Sequence, residues 1–413
     1  MTLSHRALPT LSVVIPTRGR RDKVCSLVRR LQGQHFDDNR LQIIVVLDGD
    51  IDGTGAALAA LTVRRLPVPV VLGQTGDDPQ VGHGAGPARN AGAASATGDV
   101  VLFLDDDVVP TRDDLLLQHA QGHRGDAPCV LVGVPIPRPS APSAYLSRTI
   151  SAWWQKQIRH FEAGHALRFT DMATANSSLP TRLFRDIGGF RALSRREDWD
   201  LGLRLQTSHV PLIALAGARV NHMVDTDVRT YLADVRREGA GDAEMTEAHP
   251  TALGALPLDL YRHVTAMGAL LLRQAFSRRG TDVGARGGAA VLDALERMRR
   301  EDAWRATLRR ATLLQYWAGV GDALVSLERL HNLLRRADKA ALSSLACFDI
   351  ASSELRLPAP DEACEVRVVR GAVTLGTAPL RWGGLPFDED LFKCQVRSRF
   401  TRPCPQRAWP VDG

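Results

Sequence analysis

Residues 11–15, LSVVI, form an unbroken apolar run, and the same texture returns at 41–50 (LQIIVVLDGD), 68–73 (VPVVLG) and 99–107 (DVVLFLDDD). Runs this short, rich in β-branched residues and closed by proline, glycine or acids, predict strands buried on both faces, the first stopped by Pro16. Between them the period changes. RDKVCSLVRRLQGQ places Val24, Leu27, Val28 and Leu31 on one helical face, and GTGAALAALTVRRL reads as a second helix. GPARNAGAASATG reads as a third, with Pro87 suited to its first turn and Gly98 to its end. Strands alternating with helices predict a mostly parallel sheet covered on both sides. In such sheets ligands bind beyond the carboxyl ends of the strands, where Asp48, Asp50, Asp52 and Asp105 to Asp107 stand.

From about 110 to 225 the pattern loosens. The stretch holds Pro135, Pro137, Pro139 and Pro142, the pair Trp153 and Trp154, and TANSSLPTRLFRDIGGFRALSRREDWDLGLRL. Trp199, Leu201, Leu203 and Leu205 alternate as a strand would. Residues 226 to about 345 are largely helical in pattern, LDALERMRRED and DALVSLERLHNLLRRA having clean apolar spacing. From about 354 an alternating stretch predicts a small β-rich tail. These shifts predict three parts: 1–230, a helical extension over 231–345, and a C-terminal module over 346–413.

The length of 413 residues fits two or more domains, and 44% hydrophobic with 24% charged residues is an ordinary globular mix. The net charge is +6, but the basic residues are mostly scattered arginines in a chain rich in Ala, Gly and Arg. There is no lysine-rich tail or basic run interleaved with aromatics, so a nucleic-acid partner is not expected. Six cysteines, at 25, 129, 347, 364, 394 and 404, form no CxxC pair. The last three have room to pair in the tail, yet a chain of this size needs no disulfide, and a reducing cytoplasmic setting is expected. The N-terminus lacks a signal-peptide core, and no integral membrane span is expected, VTAMGALLLRQAF and ATLLQYWAGVGDALVSL being too short or charge-broken.

Three aspartates after a buried strand supply oxygen ligands for Mg²⁺ or Mn²⁺ and leave sites open for a diphosphate. The plainer reading is a helix N-cap, for which one Asp suffices. Upstream, VGHGAGPARN raises the dinucleotide-binding pattern, but the third glycine of G-x-G-x-x-G falls at Pro87, and no G-x-x-x-x-G-K-[ST] occurs.

LSVVIPTRGR, QIIVVLDGDIDGT, GPARNAGAASATGDVVLFLDDDVVP, NSSLPTRLFRDIGGF and REDWDLGLRL, in this order and spacing, resemble the family 2 glycosyltransferases of the GT-A fold, over about residues 10 to 225. The resemblance implies a Rossmann-like mixed α/β sheet flanked by helices. It implies inverting displacement at the anomeric carbon of a nucleotide-diphospho-sugar, most often a UDP-sugar, with Mn²⁺ or Mg²⁺. Pro16, Thr17 and Arg18 would lie by the nucleotide, Asp48 would hold the base, and Arg89, Asp105 and Asp106 would fix the nucleotide-sugar. Asp107 would ligate the metal with Asp105, and His222 stands as a third ligand or as a packed histidine at a strand end. Asp198 would be the general base, Glu197 would position acceptor or base, and a helix would begin near Asp198 despite the alternation after it.

Two departures touch the base site: Leu47 stands where the family commonly has a first aspartate, and Asp50 where serine is usual. Trp153, Trp154, Asn176 and Trp199 are candidate acceptor contacts, with core packing or capping as their plainer roles. Arg195 and Arg196 suit salt bridges better than the diphosphate. Without a membrane span, a single transfer to a soluble acceptor (a natural product, peptide or glycan) is expected rather than polymer synthesis, from a chain with scope to form a homodimer. The rival readings are a nucleotidyltransferase on the same acids and a non-catalytic sugar-nucleotide-binding scaffold.

Overall fold

The apolar runs are strands whose alternate residues feed two separate cores. β1 (Leu11–Thr17), β2 (Leu41–Leu47), β3 (Val70–Gln74) and β4 (Val100–Leu104) lie parallel in the order β3-β2-β1-β4. Val13, Ile15, Ile43, Val45, Leu102 and Leu104 pack on one side with Val24, Leu27, Val28 and Leu31 of α1 (Arg21–Gln32). Val14, Ile44, Val46, Val101 and Phe103 face the other side. A strand buried on both faces needs no polar alternation, which is why the runs read as continuous. The computed structural model describes residues 7–63, 70–76, 78, 80–138, 143–162, 167–263, 276, 278–344, 347–349, 351–352, 354–356, 365–370 and 373–379. The segment VTAMGALLLRQAF up to 275, Pro139, Pro142, Cys364, Cys394, Cys404 and the tail beyond 379 lie outside the described residues.

The sheet is mixed rather than mostly parallel. β4 is followed across the sheet by β7 (Asn176–Pro180), β6 (Val130–Pro137), β8 (Leu212–His222) and β5 (Val108–Pro110). β7 is antiparallel to β4 and β6, β6 is parallel to β8, and β5 is antiparallel to β8. Helices α2 (Thr54–Val63), α3 (Ala85–Ala94), α4 (Leu115–Gly122), α5 (Ala144–Glu162), α6 (Thr181–Asp186) and α7 (Glu197–Thr207) join the strands. The stretch after Asp198 is helical, as the family resemblance implied. Its alternation misled because Leu201 and Leu205, four residues apart, are the buried pair.

Two terminators act differently from expectation. β1 continues through Pro16, since β4 pairs with it only as far as Val14 and the missing N–H costs no bond on that side. α3 ends at Ala94, before Gly98. Gly98 instead lets the backbones touch: its N–H donates to Ser12 Oγ at 2.8 Å, and an added Cβ would stand 2.7 Å from Ser12 N.

The chain divides into two compact units, one over 1–248 and 255–329, the other over 249–254 and 330–413. The expected boundary near 230 falls inside α8 (Val228–Ala248). α8, α9 (Arg278–Arg297) and α10 (Glu301–Leu324) belong to the same unit as the sheet, sharing a core of Leu146, Leu232, Leu292 and the fully buried Trp304. Apolar spacing predicted helices running through 292–302 and 322–337, but both are interrupted. At Arg299 (φ 55°) the chain turns left-handed, with Arg300 N–H reaching the Leu295 carbonyl and Arg299 N–H that of Glu296. That is a helix-ending closure usually made by glycine. Val325 (φ 67°) ends α10 in a similar way before α11 (Leu327–Ser344) begins. The second unit carries a small sheet ordered β10-β9-β11-β12, from Glu354–Arg356, Cys347–Asp349, Glu365–Arg370 and Val373–Pro379.

α8 and α10 approach so closely that a Cβ on Gly319 would overlap the Arg236 carbonyl, and one on Gly239 that of Tyr316. Gly319→Ala is therefore expected to cost about 3 kcal/mol through forced separation of the helices, read as a lowered urea midpoint with an unchanged slope.

Candidate active site

The triplet Asp105–Asp107 splits its carboxylates between two directions. Asp106, 5% exposed, turns inward, where its oxygens accept from Thr17 Oγ1 (2.7 Å) and Arg20 Nη1 (2.8 Å). Asp105 and Asp107 flank it and face His222. Ligand atoms from Asp105, Asp107 and His222 all lie within 4.8 Å of one another. His222 arrives there because β5 runs antiparallel to the end of β8, pairing Val108 with His222, while Met223 N–H donates to the Asp107 carbonyl. His222 Nε2 is 3.3 Å from Asp107 Oδ1, which is buried without a hydrogen bond, and His222 Nδ1 is likewise buried and unbonded. Two carboxylates, an imidazole and an uncommitted buried oxygen fit a hard divalent cation such as Mn²⁺ or Mg²⁺. Burial works against charge on His222, but its contact with Asp107 outweighs this and moves its pKa upward. Asp107 is raised by burial and lowered more strongly by His222 and Arg20, for a net downward shift.

The second acid cluster reaches the first through Arg89 of α3. This guanidinium is 4% exposed; Nη2 donates to Asp105 Oδ1 at 2.6 Å and Nη1 to Glu197 Oε1 at 3.0 Å. Burial disfavours its charge, yet Asp105 and Glu197 more than compensate, so its pKa shifts upward. The next residue, Asn90, accepts from Phe190 N–H (2.9 Å) and donates to the Phe190 carbonyl (2.8 Å). α3 thereby fixes the turn after Gly188 and Gly189, both at positive φ. At the start of α7, burial and the neighbouring Glu197 push the Asp198 carboxyl up to about 6, against the pull of Arg89, Arg196 and Arg195. A carboxylate tuned this way is suited to exchange protons near neutral pH.

Residues 12–200 match the profile of Glycosyl transferase family 2. They are a family 2 glycosyltransferase domain. Over 255 residues the chain is 29% identical to the pre-mycofactocin glycosyltransferase of Mycobacterium tuberculosis (strain ATCC 25618 / H37Rv), covering 60% of this chain and 49% of that protein. It is 28% identical over 107 residues to the probable glycosyltransferase YdaM of Bacillus subtilis (strain 168), 26% of this chain and 25% of YdaM. The chain thus spans about half the length, or less, of the curated relatives it matches. Among solved structures it is similar to the mannosyltransferase PcManGT of Pyrobaculum calidifontis in complex with GDP-Man and Mn²⁺, at 17% identity and TM-score 0.47, over 81% of this chain and 88% of that one. The mixed sheet with flanking helices is the arrangement that the family resemblance implied.

Other residues of the transferase domain named from sequence have tasks of their own. Asp48 accepts from the backbone N–H groups of His83 (2.7 Å) and Gly84 (2.9 Å), so it fastens the loop before α3. Arg18 donates to the carbonyls of Asp48 and Gln80, spanning the same loop. Asp50 caps α2 through Thr54 and Gly55 N–H, and Asp52 accepts from Thr54 and from Arg21 N–H at the start of α1 while bordering a cleft shared with Arg20. Asn176 is corrected as an acceptor contact. It is fully buried, its amide bonded to His119 Nε2 (2.9 Å) and the Ala218 carbonyl (2.9 Å).

Trp154 meets His222 edge-on at 5.9 Å and Trp153 at 4.9 Å, and Trp153 is 54% exposed, so the pair belongs to the rim of the metal-ligand cluster rather than to a core. Ser151 and Gln155, on the same face of α5 as Trp154, border a cleft of about 440 Å³ closed by Ile136, Arg138 and Met223. Trp199 lies 3.9 Å beneath the Arg196 guanidinium. Arg196 takes the salt-bridge role, bonding Asp242 at 2.8 Å. It holds a left-handed backbone (φ 72°), a conformation costing roughly 1–3 kcal/mol for a residue with a Cβ. Sequence reasoning missed Arg20, Asn90, Asp242 and Tyr316. Only the PTRGRR and PARN strings, which carry Arg20 and Asn90 beside named residues, offered a signal.

Asp198 gives a signed prediction. Its carboxyl titrates near 6 when folded and near about 3.9 unfolded. Between those values the folded chain holds the extra proton, so stability falls as pH rises through the window. At pH 7 the ionised group costs on the order of 1–3 kcal/mol. Asp198→Asn is expected to raise Tm by several degrees near neutrality and by nothing near pH 4 (about 2–4 °C per kcal/mol), measured by calorimetry at both pH values.

Proposed function

We propose that the chain transfers a sugar, with inversion at the anomeric carbon, from a UDP-sugar to a hydroxyl of an acceptor such as a natural product, peptide or glycan. The observation that carries this reading is the buried Arg89 joining Asp105 to Glu197, since it puts a donor-side acid and an acceptor-side acid in one site. Asp198, with its raised pKa, takes the proton of the attacking hydroxyl, a contribution of roughly 10² to 10⁴-fold. Glu197, held by Arg89, fixes the position of Asp198 and of the acceptor. Asp105, Asp107 and His222 would hold Mn²⁺ or Mg²⁺, which when bound supplies positive charge against the departing nucleoside diphosphate. Arg20, bonded to Asp106 and Asp107, adds a protein cation on the same side. Thr17 and Pro16 border the nucleotide, and the loop fastened by Asp48 and Arg18 forms its base pocket. Trp153 and Trp154, set edge-on to each other, offer the acceptor an apolar surface beside the cleft at Ile136 and Met223.

We also propose the three-part division drawn from the sequence as the functional one, with 1–230 carrying the chemistry. Among the described residues, Cys25 and Cys129 are buried and free, which supports a cytoplasmic setting. No helix among the described residues is long and apolar enough to cross a membrane.

A panel of UDP-, GDP- and dTDP-sugars with Mn²⁺ tests the reading, scored by thermal shift and by release of free nucleoside diphosphate. One UDP-sugar is expected to stabilise the chain and be consumed slowly, with EDTA and Asp107→Asn each abolishing consumption. Asp198→Asn should keep donor binding within about twofold while losing turnover by at least roughly 10²-fold. Release of pyrophosphate would favour a nucleotidyltransferase, and full activity of Asp198→Asn a scaffold; either outcome sinks the proposal.

A further inference from the structure

We infer that α8 and α10 form a clamp on residues 194–196, and that Asp242, backed by Tyr316, is a positioning residue for the acid pair that follows. The word positioning rests on the transfer proposed above; the clamp itself stands on contacts alone.

Three consecutive residues are gripped by one stretch of α8. Ser194 donates from both N–H and Oγ to the two oxygens of Glu244, at 2.7 and 2.6 Å. The Arg195 carbonyl occupies the space a Cβ on Gly241 would take, so only glycine there admits it. Arg196 Nε donates to Asp242 Oδ1 at 2.8 Å, and Nη2 lies 3.3 Å from Glu238. The other Asp242 oxygen accepts from Tyr316 Oη on α10 at 2.7 Å. Asp242 is fully buried and Tyr316 is buried.

This grip explains why Arg196 tolerates a left-handed backbone. The residue starts α7 with no side-chain cap, so the first helical turn, which carries Glu197 and Asp198, is aimed by the turn at Arg196. The fork of the arginine is held between Asp242 and the Trp199 ring. A neutral or smaller group at 242 would leave the largely buried guanidinium with only the longer contact to Glu238 as compensating charge and free the turn. Reacting groups displaced by about 1 Å can lose 10²-fold in rate, so this anchor bears on turnover while leaving the donor side, on β1, α3 and β4, untouched. Asp242 and Tyr316 both lie outside residues 12–200, the part that matches the family profile.

The test uses the full chain in four forms: wild type, Asp242→Asn, Tyr316→Phe and the double Arg196→Gly with Asp242→Asn. Loop geometry is read by the rate of trypsin cleavage after Arg195, mapped by mass. The donor side is read by calorimetric binding of UDP with Mn²⁺. Asp242→Asn is expected to speed cleavage at least tenfold and Tyr316→Phe, which keeps the ring packed, severalfold. UDP–Mn²⁺ affinity should stay within twofold in all forms. Glycine adopts the left-handed turn freely, so the double variant should return cleavage toward the wild-type rate. With a donor that wild type consumes, Asp242→Asn should lower kcat at least tenfold at unchanged KM. Unchanged cleavage in both single variants, no recovery in the double, or loss of UDP–Mn²⁺ binding in step with cleavage would overturn the clamp. If wild type consumes no nucleotide-sugar, the transfer reading fails, while cleavage, its reversal by glycine and UDP–Mn²⁺ binding still judge the clamp.

Discussion

A guanidinium with almost no solvent contact holds the site together. Arg89 stands between two groups of carboxylates that would repel if brought near one another unshielded, and its planar fork serves both, one nitrogen to Asp105 and another to Glu197. Burying such a charge is costly, and the two ion pairs offset that cost only because their geometry is fixed by packed elements on every side. A lysine would have to serve both acids from a single nitrogen, without the planar fork. α3 is placed to supply Arg89 and, one residue later, to bind both backbone groups of Phe190 through Asn90. Phe190 in turn packs with Phe103 and Phe184, rings 5.1 to 5.3 Å apart, under the strand that ends in the triplet.

With the clusters joined, each acid acquires a distinct environment and so a distinct use. Asp106 is spent on Thr17 and Arg20, Asp50 and Asp52 on helix starts, and Asp48 on a loop. Asp105, Asp107 and Asp198 remain to face the crevice. Asp107, beside His222 and Arg20, is shifted toward its ionised form; Asp198, half-buried beside a like charge, is shifted the other way. Two carboxyl groups with opposite shifts in one site are what acid–base chemistry combined with charge stabilisation requires.

Helices α8, α9 and α10 are part of the same packed unit as the sheet. Trp304 sits in a core built from α5, α8, α9 and α10, and the close crossing of α8 on α10 depends on facing glycines. Their reach to Arg196 means that the acid pair is supported from outside the segment that carries the family pattern.

The sequence by itself determined the strand set β1 to β4, helices α1 to α3 and the acidic ends of the strands, because those features follow from local periodicity and from residues adjacent in the chain. The family pattern then named Arg89, Glu197, Asp198 and His222 as candidates, and overrode the misleading alternation after Asp198. Tertiary structure decided what no local rule carries: the antiparallel strands after 110, which member of the Asp triplet faces inward, and the capture of Asn176 by His119. It also decided the helix breaks at Arg299 and Val325. Left-handed closures there use residues that sequence rules reserve for helix interiors, so no local signal marks them. Orientation and partner choice are long-range quantities, set when Arg89 meets Glu197 or Arg196 meets Asp242, and such pairings exist only once the chain has closed on itself.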